Sequence, residues 1–292
     1  MKLYIYQGLD KERVPRDVTH AIVDDSVTII KEGAFQGCTH LISIIMGDNV
    51  KRIEMCAFFC CYALRYIRLS TTLEYIGSSA FSRCDCLQAL SLPSTVNTIG
   101  DGALTSCREL RLLILPDLID RSNMGNWIVG HIDSALLQIA ENVGVVYEYQ
   151  AGYFTRESIS RVDEWLLHHM DHAPFHKVCY NPSVTTNQIN DYLSQNGNDS
   201  ALAIDAAHGM TPLHVISMNT HAPGETIAAL FNSQTDTIFC EDNQQNTPLD
   251  YARDYNIGGL IEMITELCIH RHSSTPVEED TIFYETGEEK ES

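Results

Sequence analysis

The sequence is poor in basic residues and has no long apolar run. Among its 292 residues, 19 Lys and Arg stand against 39 Asp and Glu, so the net charge is −20. A nucleic-acid binder needs a basic surface that meets the phosphates, and this composition therefore argues against DNA and RNA as partners. No segment approaches the roughly 18 apolar residues of a membrane span. We expect no membrane contact.

The amino terminus also lacks the apolar core of a secretion signal. Residues 1–7 give way at once to the charged stretch 10–16, whereas a signal peptide continues into an apolar segment. We therefore expect a cytoplasmic protein. Disulfides are rare in that reducing compartment, so the ten cysteines are expected to be thiols.

A 23-residue period runs through the first part of the chain without insertions. It is marked by cysteines that follow alanines by four residues and precede leucines by three. The cysteines are Cys38, Cys61, Cys84 and Cys107, and the alanines are Ala34, Ala57, Ala80 and Ala103. One such unit cannot bury its own apolar side chains, but stacked units align them into continuous ladders. The period predicts a solenoid.

The repeated unit resembles the BspA-like leucine-rich repeat, which runs roughly Val-x-x-Ile-Gly-x-x-Ala-Phe-x-x-Cys-x-x-Leu-x-x-Ile-x-Leu-Pro. Four full units cover about residues 18–118. Leu104 departs from the pattern by replacing the Phe, and Lys31 and Glu54 replace the Gly. The resemblance implies a β-rich solenoid that binds other proteins.

Each unit contains a short strand whose alternate residues point away from the core. Some of these outward positions carry an aromatic residue, an arginine and aliphatic residues, which offer the contact types that dominate protein interfaces. They are Tyr66, Arg68, Leu112 and Ile114. We expect these four residues to lie on a protein-binding surface.

A second repeat, with helical signals, occupies the C-terminal half. Its strongest copy is 209–214, Gly-Met-Thr-Pro-Leu-His, with echoes at 247–252 and, more weakly, at 173–176. Thr supplies an N-cap oxygen, and Pro fits the first helical position. Each copy precedes a second helical segment, so we expect three helix pairs. The unit resembles the ankyrin repeat, although Ala173 replaces its Thr and Gln245 its Gly; the resemblance implies a helical binding array.

These patterns predict an α+β repeat protein, in which a β-rich leucine-rich-repeat solenoid is followed by an α-helical ankyrin-like array. The predicted parts are the solenoid 1–118, a helical connector and cap 119–172, ankyrin-like repeats 173–270, and a disordered acidic tail 271–292. Segment 119–270 holds 5 basic and 19 acidic residues. We therefore expect a protein partner with a basic patch and an association that weakens as salt rises.

A metal site is the main chemical alternative. His168, His169, His172 and His176 include two four-residue spacings, which on one continuous helix would bring imidazoles together to hold zinc or copper. Pro174 interrupts such a helix, so structural or surface histidines are favoured. The chain also has no paired Cys-x-x-Cys zinc arrangement, phosphate-cradling loop or nucleophile elbow. We expect no metal, no cofactor and no enzymatic activity.

The sequence thus favours a non-enzymatic intracellular scaffold or adaptor for protein–protein interactions. The alternative is a secreted or cell-surface binding protein of the leucine-rich repeat type, because BspA-like repeats also suit cell surfaces. The missing signal sequence argues against that alternative.

Overall fold

The structure, a computed structural model, describes residues 1–10, 12–117, 119–130, 134–150 and 153–273. Short parallel strands dominate the first part of the chain. They are β1 (Leu3–Tyr6), β2 (His20–Val23), β3 (Ile29–Ile30), β4 (Ser43–Ile45), β5 (Arg52–Ile53), β6 (Tyr66–Arg68), β7 (Tyr75–Ile76), β8 (Ala89–Ser91), β9 (Thr98–Ile99) and β10 (Leu112–Ile114). One sheet has the order β1-β2-β4-β6, a second has β3-β5-β7-β9, and β8 pairs with β10. The predicted β-rich solenoid is confirmed.

Stacked side chains fill the interior of the solenoid. The rings of Phe35, Phe58 and Phe81 lie 5.0 and 5.2 Å apart between centroids, and Tyr6 extends the stack at 5.2 Å. Aromatic pairs at such distances stabilise beyond their area burial. Leu104, at the position that lacks the Phe, continues the column and is 2% exposed. The period therefore repeats one burial pattern in every coil.

The repeated cysteines form a second interior column. The Cys61 thiol donates to the Phe35 carbonyl at 3.1 Å, and the Cys107 thiol donates to the Phe81 carbonyl at 3.1 Å. Burial raises the pKa of Cys107 to about 12 and that of Cys38 to about 11. A thiolate is the reactive form of cysteine, so these thiols are chemically quiet packing residues.

The turns repeat a left-handed backbone conformation at two positions in each coil. The positions are Gly33, Cys56, Ser79 and Gly102, and Gly37, Cys60, Arg83 and Ser106. A residue other than glycine pays about 1–3 kcal/mol in this region. Hydrogen bonds to the neighbouring coil hold it there, such as Cys56 N–H to the Ser78 carbonyl at 3.0 Å.

Backbone pairing of the solenoid continues past the predicted boundary at 118. Met124 forms a parallel bridge with Ile99, and the N–H of Leu104 donates to the Ile128 carbonyl at 2.9 Å. There follow α1 (Ala135–Asn142), the antiparallel hairpin β11 (Tyr149–Gln150) and β12 (Tyr153–Phe154), and α2 (Arg156–His168). Leu137 and Leu166 of these helices share the solenoid core, which shields the last coil from water.

The C-terminal part is helical, as predicted. Its helices are α3 (Pro174–Tyr180), α4 (Thr186–Asn196), α5 (Pro212–Met218), α6 (Gly224–Ser233), α7 (Pro248–Tyr255) and α8 (Ile257–Ser273). They form three consecutive pairs, in which α3, α5 and α7 pack in one row and α4, α6 and α8 in another. Thr185 and Thr247 cap α4 and α7 through capping boxes. The predicted tail lies outside the described residues from 274 onward.

Buried histidines link successive helix pairs. The N–H of Thr211 donates to His214 Nδ1 at 3.0 Å, which leaves the Nε2 proton to bond the Asn246 carbonyl at 3.1 Å. His176 Nε2 likewise donates to the Met210 carbonyl at 2.8 Å. Because Ala173 lacks a hydroxyl, Nδ1 of His176 has no hydrogen-bond partner within the described residues. Among those residues, no helix is long and apolar enough to cross a membrane.

Candidate protein-binding surface

The parallel register places the outward residues of the strands in two straight rows. Pairing aligns Leu3, His20, Ser43 and Tyr66 in one row, and Ile5, Ile22, Ile45 and Arg68 in the other. Ala89 and Leu112 continue the first row, and Ser91 and Ile114 continue the second, through the β8–β10 pairing. We call these two rows the outward face of the solenoid. All four predicted binding residues belong to it.

The expectation that Leu112 and Ile114 are exposed is wrong. Leu112 is 0% exposed and Ile114 is 5% exposed. Both lie in one hydrophobic cluster with residues of the helical part, among them Met170 and Phe175. Removing their aliphatic side chains from water stabilises the contact by roughly 1.5–3 kcal/mol for each residue. The outward face therefore binds the molecule's own helical part at its C-terminal end.

Tyr66 and Arg68 lie at the margin of this contact and are half-buried. The Tyr66 ring meets that of Tyr255 edge-on, with centroids 5.3 Å apart, and burial raises the pKa of Tyr66. Next to Arg68, Nε2 of His221 donates to the Leu69 carbonyl at 2.7 Å. Burial, and secondly the Arg68 charge, lower the pKa of His221.

Polar contacts complete this internal interface. His208 Nδ1 meets Asp205 Oδ1 at 2.7 Å, and its Nε2 meets the Arg111 carbonyl at 3.0 Å. Since both partners are acceptors, both ring nitrogens carry hydrogens. Burial opposes ionisation of Asp205, but the bonds from His208 outweigh it and lower the pKa of the carboxyl to about 2. Elsewhere, the Tyr255 hydroxyl donates to Gln88 Oε1 at 3.1 Å.

The N-terminal end of the outward face remains exposed and aliphatic. Leu3 is 55% exposed, Ile5 54%, Ile22 39% and Ile45 45%. We call these four residues the aliphatic patch. Neighbouring apolar side chains at a protein surface are typical of interaction sites, whereas single ones are ordinary. The patch continues in register from the part of the face that the helices cover.

The sequence analysis overlooked this patch, although part of its signal is periodic. Ile45 lies 23 residues before Arg68, and Ile22 lies 23 residues before Ile45. Both could have been found by extending the outward position backwards. Ile5 pairs with Ile22 at a separation of only 17 residues, so the period does not reach β1.

The histidines considered for metal binding do not converge. Helix α2 ends at His168 and α3 begins at Pro174, so no continuous helix carries them. His168 bonds Asp171 at 2.8 Å, whereas His169 packs against Trp165 with ring centroids 4.5 Å apart. Burial lowers the pKa of His169 to about 4. In the part of the chain that the structure describes, no three His, Cys, Asp or Glu residues are arranged to hold a metal ion.

Residues 16–125 match the family model of the BspA type leucine-rich repeat region, in six copies. A leucine-rich repeat protein from Bacteroides ovatus ATCC 8483 is 39% identical; the match covers 36% of this chain and 27% of that chain, with a TM-score of 0.35. A leucine-rich repeat protein from T. pallidum is 25% identical over 37% of this chain and 52% of that chain, with a TM-score of 0.36.

A leucine-rich cell surface protein from Faecalibacterium prausnitzii A2-165 is 28% identical over 37% of this chain and 29% of that chain, with a TM-score of 0.36. The chain thus spans between about a quarter and a half of the length of these three proteins. No curated protein matches it. The family match ends at residue 125 and gives no support to the ankyrin-like prediction for 173–270.

Proposed function

Because residues 16–125 are a leucine-rich repeat region of the BspA type, we propose that the chain is a non-enzymatic scaffold that binds another protein. One observation carries the proposal. The outward face already binds protein within this molecule at Leu112 and Ile114, and the aliphatic patch continues that face in register. A partner that covers the patch removes about 50% of each of four aliphatic side chains from water and gains affinity by the hydrophobic effect.

The helical part supplies a second component of binding in this proposal. Its consecutive helix pairs, its Thr-Pro helix starts and the His214 bond between units support an ankyrin-like array. Segment 119–270 carries 5 basic and 19 acidic residues, so we propose that the partner presents a basic patch. Attraction of this kind raises the association rate and is screened by salt.

Affinity capture from native extract tests the proposal. The bait is the full chain, compared with the double variant Ile22→Asp/Ile45→Asp and with the control Ile204→Asp, which changes an isoleucine that is 66% exposed outside the patch. A protein that wild type and control retain, that the double variant loses, and that elutes earlier at high salt is the expected partner. Equal capture by all three baits, or a purified partner that binds equally in 1 M salt, contradicts the respective part of the proposal.

An intracellular location is also part of the proposal, and it is supported by the quiet, buried thiols of the cysteine column. Cell fractionation with an antibody to the full chain separates it from the cell-surface alternative. Recovery in the cytosolic fraction supports the scaffold. Release of the protein by protease treatment of intact cells favours a surface binding protein instead.

A further inference from the structure

The second row of the helical part, α4-α6-α8, is closely packed from one end to the other. The hydroxyls of Thr186 on α4 and Thr226 on α6 lie 2.9 Å apart. Helices α6 and α8 approach so closely that a Cβ added to Gly259 would clash with the Ile227 side chain. Each helix of the row thus receives the next one on a face that is left free only at the two ends.

The two ends of the row have opposite surface chemistry. The exposed residues of α4, the first helix, are all polar: Asn187, Gln188, Asn190, Asp191, Ser194, Gln195 and Asn196. The exposed residues of α8 between 257 and 269 are Ile257, Gly258, Ile261, Ile264, Thr265, Cys268 and Ile269, and none of them is charged. A terminal repeat normally turns a polar face to solvent. Helix α4 obeys this rule and α8 does not.

Four of these residues form a stripe suited to a helix. Ile257, Ile261 and Ile264 are 57%, 58% and 46% exposed, and Cys268 is also exposed. We call them, with Cys268, the α8 stripe. Its successive spacings of four, three and four residues are those of the seam through which two helices pack side by side. A 17-residue helix is about 25 Å long, which is enough for this seam to run along most of it.

We propose that the α8 stripe binds the same stripe of a second copy of this chain, as an antiparallel helix pair about a twofold axis. The spacing reads the same in both directions. An antiparallel pairing centred between residues 262 and 263 therefore sets Ile261 against Ile264 of the second copy and Ile257 against its Cys268. Self-complementarity of this kind is the requirement of a twofold dimer interface.

Charge also favours this occupant and this geometry. Two copies with a net charge of −20 repel each other, and they approach most easily where neither exposes a charge. The glutamates of α8, Glu262 and Glu266, are half-buried outside the stripe. The polar face of α4 offers no match for the stripe, so copies do not add head to tail. The assembly closes at two.

Sedimentation velocity of the full chain over about 1–100 μM tests the proposal. The mass is expected to rise from 32.7 kDa towards twice that value, and to do so at lower protein concentration when salt screens the repulsion. Ile261→Glu/Ile264→Glu weakens dimerisation at least tenfold. The control Ile204→Glu, at another exposed isoleucine, dimerises like wild type.

A wild-type chain that stays monomeric at about 100 μM, or a control that loses dimerisation equally, overturns the proposal. So does a glutamate variant that unfolds at a much lower temperature as a monomer, since the stripe is then covered by its own chain. For the orientation, Cys86→Ser/Ile257→Cys is expected to give covalent dimers with a short bismaleimide. Equal cross-linking by Cys86→Ser alone, through Cys268, overturns the antiparallel arrangement.

Discussion

Single buried carboxyl groups in this protein respond to their surroundings in opposite directions. Asp205 meets His208 and stays ionised, whereas Asp163 of α2 is 7% exposed and has only the Arg121 guanidinium, 3.4 Å away, to offset its burial. Burial prevails and raises the pKa of Asp163 to about 6. A folded-state pKa above the unfolded value favours folding below about pH 4, and that contribution is lost as pH rises through about 6.

We therefore predict that Asp163→Asn stabilises the protein at pH 8 but hardly at pH 4. The neutral amide removes the cost of a buried charge, so the free energy of unfolding at pH 8 rises by about 1–3 kcal/mol. Urea denaturation at both pH values measures the difference. Glu164→Gln changes a neighbouring side chain that is 64% exposed and serves as the control. An equal gain at the two pH values would show that charge burial is not the cause.

A glycine in the second helix pair is required for two reasons. Gly209 has a φ of +71°, and a Cβ added there would clash with the Asn243 side chain. Gly37 has a nearly equal φ of +74°, but an added Cβ there meets no atom within 4 Å. We predict that Gly209→Ala lowers the free energy of unfolding by about 1–2 kcal/mol more than Gly37→Ala. Thermal denaturation of both variants checks this, and equal losses contradict it.

Among the elements, the solenoid strands combine a predictable inward side with an outward side that depends on distant residues. The inward columns and the helix starts could be predicted, because periodic burial and N-cap chemistry are local signals. The covering of Leu112 and Ile114 could not, because it depends on residues such as Phe175 that lie outside the period. Strand β1 was missed for a similar reason, since its pairing with β2 breaks the 23-residue spacing.

The covered and exposed ends of the outward face should differ in their contribution to stability. We predict that Leu112→Ala lowers the free energy of unfolding by about 2–5 kcal/mol, because it leaves a cavity in the internal interface. The matched change Ile45→Ala, at a residue 45% exposed, should cost less than about 1 kcal/mol. Chemical denaturation of the two variants measures both values. Similar small losses would mean that the helical part is not held on the strands.

For the whole molecule, the internal interface makes one folding unit out of two different repeats. It combines the buried Leu112 and Ile114 with hydrogen bonds from His208 and His221 to backbone carbonyls of the solenoid. A short helical array gains stability mainly from its neighbours. The solenoid therefore serves the helical part as an additional neighbour, and the two parts present the aliphatic patch and the α8 stripe in one fixed arrangement.

This coupling predicts a single thermal transition for the intact chain, with equal calorimetric and van't Hoff enthalpies. Leu112→Asp buries an unpaired charge between the two parts and should separate the transition into two, with the helical part melting first. Far-ultraviolet circular dichroism identifies that first step by its loss of helical signal. Ile45→Asp places the same charge at the exposed end of the face and should keep one transition. Two transitions in the wild-type chain would mean that the repeats fold independently and that their relative arrangement is not fixed by the interface.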